Sequence, residues 1–501
     1  MALEERQSNF NLIKLLISVG SLIFALNCLH GTFADFDLWG YLGFGRLFWE
    51  GKGFPYKDIF SYAPTRDLWV YHEWLTGVLF FPVYKATGAA GLQVLKYALA
   101  LLTLFIAYLT SRKRGSDFVS FAVTLLLSLK IFSYGYGPVR AQVFTYLFFA
   151  LTVYLLERAR KSNQYKCLLW LLPVQLLWCN LHGGFVAGIA IIGVYSFGEA
   201  LSKKKFLPYL GIMGLSLAVT LVNPYGVDYW LYIKDAILMP RPNIEEWCSL
   251  FYCLKNGLYL EHAILFSVSA SICLAVFVWY KKREVTPFLM LAITAYLGVS
   301  HIRHVVFFAI SFMIFMPLIF TDFCAKLIKS HNVGHGLRRI KIVFIIFLSL
   351  IFADASVSFF KKLISDNPLS LRTASVEDAG VLRSYYPTGA VEYIKHNGFR
   401  GNLLPLFEWG EYIAWSLSPG CLVGMDGRYE TVYTETYSEE YFEFIYGRKK
   451  WRNFLTKYPH EMILIKTRSK LNLLLQKEPG WMKVYQDKGS VLYIKKGHPE
   501  V

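Results

Sequence analysis

The chain has 501 residues, 55% of them hydrophobic and only 17% charged, with a mean hydropathy of +0.38. A soluble domain is normally about one-quarter charged, so this composition excludes an ordinary soluble protein and predicts many membrane spans of about 20 residues each. The formal net charge of +17 does not read as nucleic-acid binding. Its basic residues cluster in short connections between apolar segments, the pattern that marks cytoplasmic loops.

Those runs are Arg112-Lys113-Arg114, Arg158 to Lys166, Lys203-Lys204-Lys205, Lys281-Lys282-Arg283 and Lys326 to Lys341. Placing them in the cytoplasm predicts about eleven crossings, near 11–30, 91–111, 116–133, 139–157, 166–181, 184–201, 206–222, 260–279, 286–301, 303–320 and 340–358. The first segment, flanked by Glu4, Glu5, Arg6 and Lys14, has no small-residue cleavage site and reads as an uncleaved helix. The N-terminus is then cytoplasmic and the C-terminal tail extracytoplasmic. The segment 73–87 is short, contains Pro82, and as a crossing would put Arg112-Lys113-Arg114 outside. It reads as an interfacial or re-entrant helix.

The predicted fold class is therefore an all-α polytopic membrane bundle with a C-terminal α/β domain. Residues 1–360 form the bundle, with an outer loop at 31–90 carrying the juxtamembrane helix 73–87, and residues 361–501 form the tail. In the tail, Thr388 and Gly398 bracket a helix as N-cap and C-cap. Runs at 403–407, 421–425 and 462–465 read as buried strands, E-Y-I-A-W-S-L and L-N-L-L-L-Q-K as helices, and 483–494 as a hairpin. The eight cysteines show no zinc-ligand spacing. A Cys248–Cys253 disulfide is open, with two packed thiols the expected state.

The polar and aromatic variety falls on the outer side. It includes F-A-D-F-D-L-W at 33–39, Y-H-E-W-L at 71–75, Y-G-Y-G-P-V-R at 134–140, N-L-H-G-G at 180–184, the 223–257 loop and S-H-I-R-H at 300–304. Paired acids, Asp35 and Asp37, where a helix leaves the membrane are a functional-site signature. Asp37 stands nine residues before Arg46, and Gly51 and Pro55 follow. This first-loop pattern resembles that of the GT-C superfamily of polyprenyl-phosphate-sugar-dependent glycosyltransferases, which includes protein O-mannosyltransferases and aminoarabinose transferases. The further motifs His72–Leu75, Asn180–Gly184, Asn223–Gly226, Trp409–Tyr412 and Asp426–Arg428 resemble an uncharacterised bacterial branch. Leu38 stands where relatives carry Glu after the Asp, and their double proline is absent.

The resemblance implies a bacterial inner-membrane enzyme that moves a sugar from a polyprenyl-phosphate donor to an extracytoplasmic acceptor. Such transfer needs a base for the acceptor hydroxyl and cationic groups for the leaving phosphate. Asp37 is the expected general base. Asp35 is a second carboxylate, and with Asp37 the candidate pair for a divalent metal ion if one is used. His72 and Glu73 are expected to orient base or acceptor. Arg140, Arg303, His182 and His304 are expected at the donor phosphate, Arg best because its fork matches phosphate oxygens. Glu245 and Glu246 are expected near the acceptor. Alternative readings are a helix cap for Asp37, helix-dipole pairing for Glu73, and snorkelling for the arginines. Asp426-Gly427-Arg428 reads as a structural turn with an internal ion pair. The alternative functions are a transporter or lipid flippase, or a non-catalytic membrane assembly protein. Ionisable residues near mid-span, which a transporter would need, are confined to Lys96 and Lys130.

Overall fold

The computed structural model describes residues 2–51, 53–239, 241, 244–280, 284–329, 334–373, 376–378, 381–383 and 386–497. Side chains are described for these except residues 2–13, Trp279, 327–349 and 376–383. The Lys281-Lys282-Arg283 run and part of the Lys326–Lys341 run lie outside the described residues. The chain divides into two compact units.

The first unit comprises Met1–Thr32, Gln93–Pro224 and Met239–Ser370. Its helices are α1 (Ala2–Leu29), the later part of α3 (Trp74–Lys113), α4 (Phe118–Ser133), α5 (Gln142–Ser162), α6 (Leu171–Leu181), α7 (Val186–Leu201), α8 (Leu207–Val219), α10 (Leu250–Asn256), α11 (Leu260–Trp279), α12 (Val285–Ser300), α13 (Val305–Lys329) and α14 (Gly334–Ser365). Each of the eleven apolar segments read from the sequence is occupied by helix. Among the described residues, four helical stretches are both long and apolar enough to cross a membrane: Trp74–Lys113, Gly183–Leu201, Leu260–Val278 and Ile302–Lys326. Shorter apolar helices lie at Lys14–Leu29, Phe118–Ser133, Leu207–Val219 and Val285–Ser300. Helix α13 is the centre of the unit, packed by α4 and α12 and buried continuously from Val305 to Met316. At the periphery the apolar side chains point outward. Leu207 and Leu215 on α8 and Leu274 and Val278 on α11 are exposed, a liability in water and the expected surface toward lipid.

Two devices tie this unit together. Lys96, buried on α3, donates to Gly31 O and Gly137 O, each at 2.9 Å, and to Leu29 O at 3.4 Å. The ammonium thus ties the end of α1 and the residue beyond it to the turn after α4. The second device is a six-charge network. Arg114 pairs with Glu157 and with Glu284 (3.1 Å). Arg160 pairs with Glu199 (2.7 Å), Glu284 (2.9 Å) and Glu157 (3.4 Å), and Lys161 with Glu284 (2.9 Å). Tyr195 donates to Glu157 at 2.9 Å and Thr286 to Glu199 at 2.8 Å. Such complete pairing is what makes buried charge tolerable.

The second unit comprises Phe33–Leu92, Tyr225–Leu238 and Leu371–Val501. It contains α2 (Leu38–Glu50), the start of α3, and α9 (Val227–Leu238). From the tail it takes β1 (Val376–Asp378), β2 (Val381–Arg383), α15 (Thr388–His396), β3 (Gly401–Pro405), α16 (Gly410–Leu417), β4 (Cys421–Val423), α17 (Tyr429–Val432), α18 (Glu435–Ile445), α19 (Trp451–Lys457), β5 (Met462–Lys466), α20 (Lys470–Leu475), β6 (Trp481–Gln486) and β7 (Ser490–Lys495). The sheet order is β4-β3-β5-β7-β6, with β3 parallel to β4 and β5, and β7 antiparallel to β5 and β6. The central strand β5 buries Met462, Ile463, Leu464 and Ile465, each worth about 1.5–3 kcal/mol of burial.

This division differs from the boundary expected at 360. The 33–92 loop belongs with the tail because it covers an open strand edge, which otherwise presents unpaired backbone groups. Val423 N donates to Phe60 O at 2.8 Å, and Ser61 Oγ to Val423 O at 2.9 Å. The 73–87 helix is set off from the 91–111 segment, as expected: within α3 (Trp74–Lys113) the backbone leaves helical conformation at Gly88 (φ 63°, ψ −150°), a conformation that favours glycine. Thr388 is the first residue of α15 rather than its cap, which is Pro387. Gly398 follows the helix with φ +72°.

Candidate functional site

Within the second unit, the loop after α1 turns at Asp35 and starts α2 at Leu38. Asp37 holds the N-cap position but its side chain makes no capping bond. Asp35 Oδ1 instead accepts from Asp37 N at 3.1 Å. Tyr386 fixes this turn: its hydroxyl donates to Asp35 O at 2.9 Å and Ala34 O at 3.1 Å and accepts from Trp39 Nε1 at 3.0 Å.

The first turn of α2 is capped from the tail. Gly40 N donates to Glu411 Oε2 at 2.9 Å, and a Cβ on Gly40 would collide with that carboxylate. A Cβ on Gly427 would lie 2.8 Å from Glu411 Oε1 and 3.3 Å from Asp37 Oδ1, so both acids face one narrow space. Burial, then the charges of Asp37 and Asp426, push the Glu411 carboxyl well above its ordinary range, against the pull of Arg428. Asp426-Gly427-Arg428 forms the turn read from its sequence. Arg428 Nη2 meets Asp426 Oδ2 at 2.5 Å, and Nη1 meets Asp58 Oδ1 at 2.6 Å. Its guanidinium lies 4.9 Å from the Trp69 ring and 5.1 Å from Phe60. Glu411, Asp58 and Tyr386 are the residues that sequence reasoning missed. The W-G-E-Y motif around Glu411 was visible, but nothing local tied it to Asp37.

His72 and Glu73 lie just before and at the start of α3, with His72 Nε2 3.7 Å from Glu73 Oε2. The His72 ring stacks on Tyr232 (5.3 Å between centroids), and Nδ1 lies 3.1 Å from the Tyr232 hydroxyl. Tyr225, beside α9, accepts from Tyr71 N at 3.0 Å. Thus α9 clamps the Y-H-E-W-L segment.

Within the first unit, two arginines converge on one acid. Arg140 Nη1 and Arg303 Nη1 lie 2.9 and 3.1 Å from the two Glu246 carboxylate oxygens. Burial would raise the Glu246 carboxyl, but the two guanidinium groups hold it down to about 2. Trp247 carries Arg303 on one contact (4.6 Å) and Arg241 on another (4.4 Å), with the His301 and His304 rings edge-on to it. The arginines therefore turn inward rather than snorkel. Glu246, expected near the acceptor, is their counter-ion because a buried carboxylate between two cations is held there by charge; Glu245 is exposed. His182 has a local task. Its Nδ1 accepts from Gly184 N at 2.8 Å and meets Thr145 Oγ1 at 2.8 Å, which places it as the cap of the turn at Gly183–Phe185.

Among the described residues no group of three or more His, Cys, Asp or Glu side chains is placed to hold a metal ion. Asp35 and Asp37 make a pair without a third such ligand, and one Asp35 oxygen is engaged by Asp37 N. The described cysteines, Cys248 and Cys253 included, are free thiols.

No protein-family profile and no curated protein sequence matches the chain. Solved structures do match. The arabinofuranosyltransferase AftD from Mycobacteria superposes with a TM-score of 0.56 at 10% identity, over 97% of this chain and 40% of AftD. This chain thus spans less than half the length of AftD. ArnT from Cupriavidus metallidurans, solved bound to undecaprenyl phosphate, superposes with a TM-score of 0.53 at 13% identity, over 96% of this chain and 97% of ArnT. The chain shares the fold of these two solved structures.

Proposed function

We propose that the protein is an integral membrane glycosyltransferase that moves a sugar from a polyprenyl-phosphate donor to an acceptor on the extracytoplasmic side. The observation that carries this reading is the end-to-end likeness to ArnT, a chain solved with undecaprenyl phosphate. The clusters described above supply the two chemical needs of the transfer. Arg140 and Arg303 offer paired forks suited to phosphate oxygens, with Glu246 occupying the place of an anionic oxygen. Asp37, at the start of α2 and not spent on capping, is the general base. It takes the acceptor hydroxyl proton as the acceptor oxygen bonds to the anomeric carbon. The carbon–oxygen bond to phosphate breaks, and the polyprenyl phosphate leaves with the electron pair. His72 and Glu73 orient the acceptor.

The test uses full-length protein in nanodiscs, a panel of polyprenyl-phosphate sugars, and Asp37→Asn beside the wild type. One donor is expected to turn over. The variant is expected to lose about 10²–10⁴-fold in kcat while binding donor with unchanged affinity. Absence of both turnover and donor binding in the wild type would refute the reading.

A further inference from the structure

Between α11, α12 and the stretch of α13 from Phe315 to Asp322 the first unit leaves a cavity of about 850 Å³. That volume falls in the range of about 300–1,000 Å³ usual for ligand sites. Small side chains make the room: Ala270 on α11 and Ala292 and Ala295 on α12 line it. Phe315 and the pair Phe277 and Phe288, stacked at 3.9 Å between centroids, give it apolar walls. Leu274 lines it too and is 67% exposed, so the cavity opens on the lipid-facing side of α11. Arg114 and Glu284 bring the edge of the six-charge network into the lining.

The Arg114 side chain is only 3% exposed. Its Nη1 goes to Glu157 and its Nη2 to Glu284. Its Nε finds no acceptor among the described residues, a costly state for a buried donor. The guanidinium lies 4.9 Å from the centre of the Phe315 ring, which is itself part of the cavity wall. We propose that this cavity binds one glycerolipid, an ester carbonyl accepting from Arg114 Nε and the acyl chain filling the apolar space. The charge balance selects that chemistry. The network already matches three cations with three carboxylates, so a phosphate at Arg114 would bring an unmatched charge out of water. A carbonyl satisfies the open donor and adds no charge. The lateral opening admits a chain directly from the bilayer. A polyprenyl chain would match the walls but has no acceptor along its length, and its phosphate meets the same charge balance. The site is therefore separate from the donor cluster at Arg140 and Arg303 and does not depend on the proposed transfer reaction.

The test takes full-length protein stripped of lipid in detergent. It is incubated with dioleoyl phosphatidylcholine or with the diether analogue, which has the same chains and headgroup but no carbonyl. Retained lipid is counted by native mass spectrometry. One diester molecule is expected to stay on each chain, and the diether to bind about tenfold more weakly, the cost of one lost hydrogen bond to a charged donor. A phosphatidylcholine carrying a diazirine on one acyl chain is expected to label peptides from α11, α12 and α13 that contain the lining residues. Ala295→Trp fills the space without touching the network and is expected to abolish both retention and labelling. Equal retention of diester and diether would overturn the proposal, as would labelling unchanged in Ala295→Trp. Displacement of the retained phosphatidylcholine by equimolar undecaprenyl phosphate would also overturn it and give the cavity to the polyprenyl chain. Should Ala295→Trp not fold, the diester and diether comparison on the wild type decides alone.

Discussion

The first unit handles charge in two opposite ways. In the six-charge network three cations meet three carboxylates, and every carboxylate is shared by at least two donors. In the Arg140–Glu246–Arg303 cluster two guanidinium groups close on one acid. The balanced network holds α3, α5, α7 and the start of α12 to one another and leaves no charge to offer. The unbalanced cluster instead sets two guanidinium groups against one carboxylate, which both hold down in pKa. Breaking a buried ion pair leaves an uncompensated charge out of water, so the two clusters differ in what the loss of one partner should do.

The contrast can be broken or sharpened by substitution. The largest expected effect is on the balanced side. Glu157→Gln leaves Arg114 and Arg160 short of one carboxylate in a buried site and should destabilise by about 3–5 kcal/mol. It would be read as a lowered Tm with donor affinity of the folded protein unchanged. Next comes a buried group whose own charge has no acid beside it. His460, buried and stacked on Trp481, is pushed down by burial to about 4 from the ordinary histidine value of 6.5. The folded state therefore favours the neutral ring. Stability should be full above pH 6.5 and fall by on the order of 3 kcal/mol as pH drops toward 4, and His460→Gln should flatten that slope in thermal melts. The smallest effect is on the unbalanced side. Arg303→Lys replaces a planar fork by a point charge and should weaken donor binding about tenfold, close to 1.4 kcal/mol, with Tm almost unmoved. A large Tm loss in that variant, with donor affinity intact, would erase the distinction between the two clusters.

What was legible in the sequence follows the range of the contacts involved. The helices were legible because apolar runs of spanning length are a local signal. So were β3, β4, β5 and the β6–β7 hairpin, each an apolar run between turn residues. The Asp426–Arg428 pair was legible because its partners are two residues apart. The loop's place in the second unit was not, since Ser61 meets Val423 across 362 positions and no local pattern encodes that edge pairing. Glu411 was hidden for the same reason. At the start of a short helix it reads as an acid suited to the helix dipole, and its bond to Gly40 spans 371 positions. Arg140, Arg303 and Glu246 are each singled out by position, but position alone assigns Glu246 a separate task, because only the folded chain shows the arginines closing on it.

The six-charge network also has a thermal consequence. Hydration of charged groups becomes less favourable as temperature rises, so the penalty for keeping ions out of water shrinks on heating. Arg114, Arg160 and Lys161 with their three glutamates should therefore hold their helices relatively more firmly in warm cells than in cold ones. Loosening of the first unit on heating should accordingly begin at contacts other than this network.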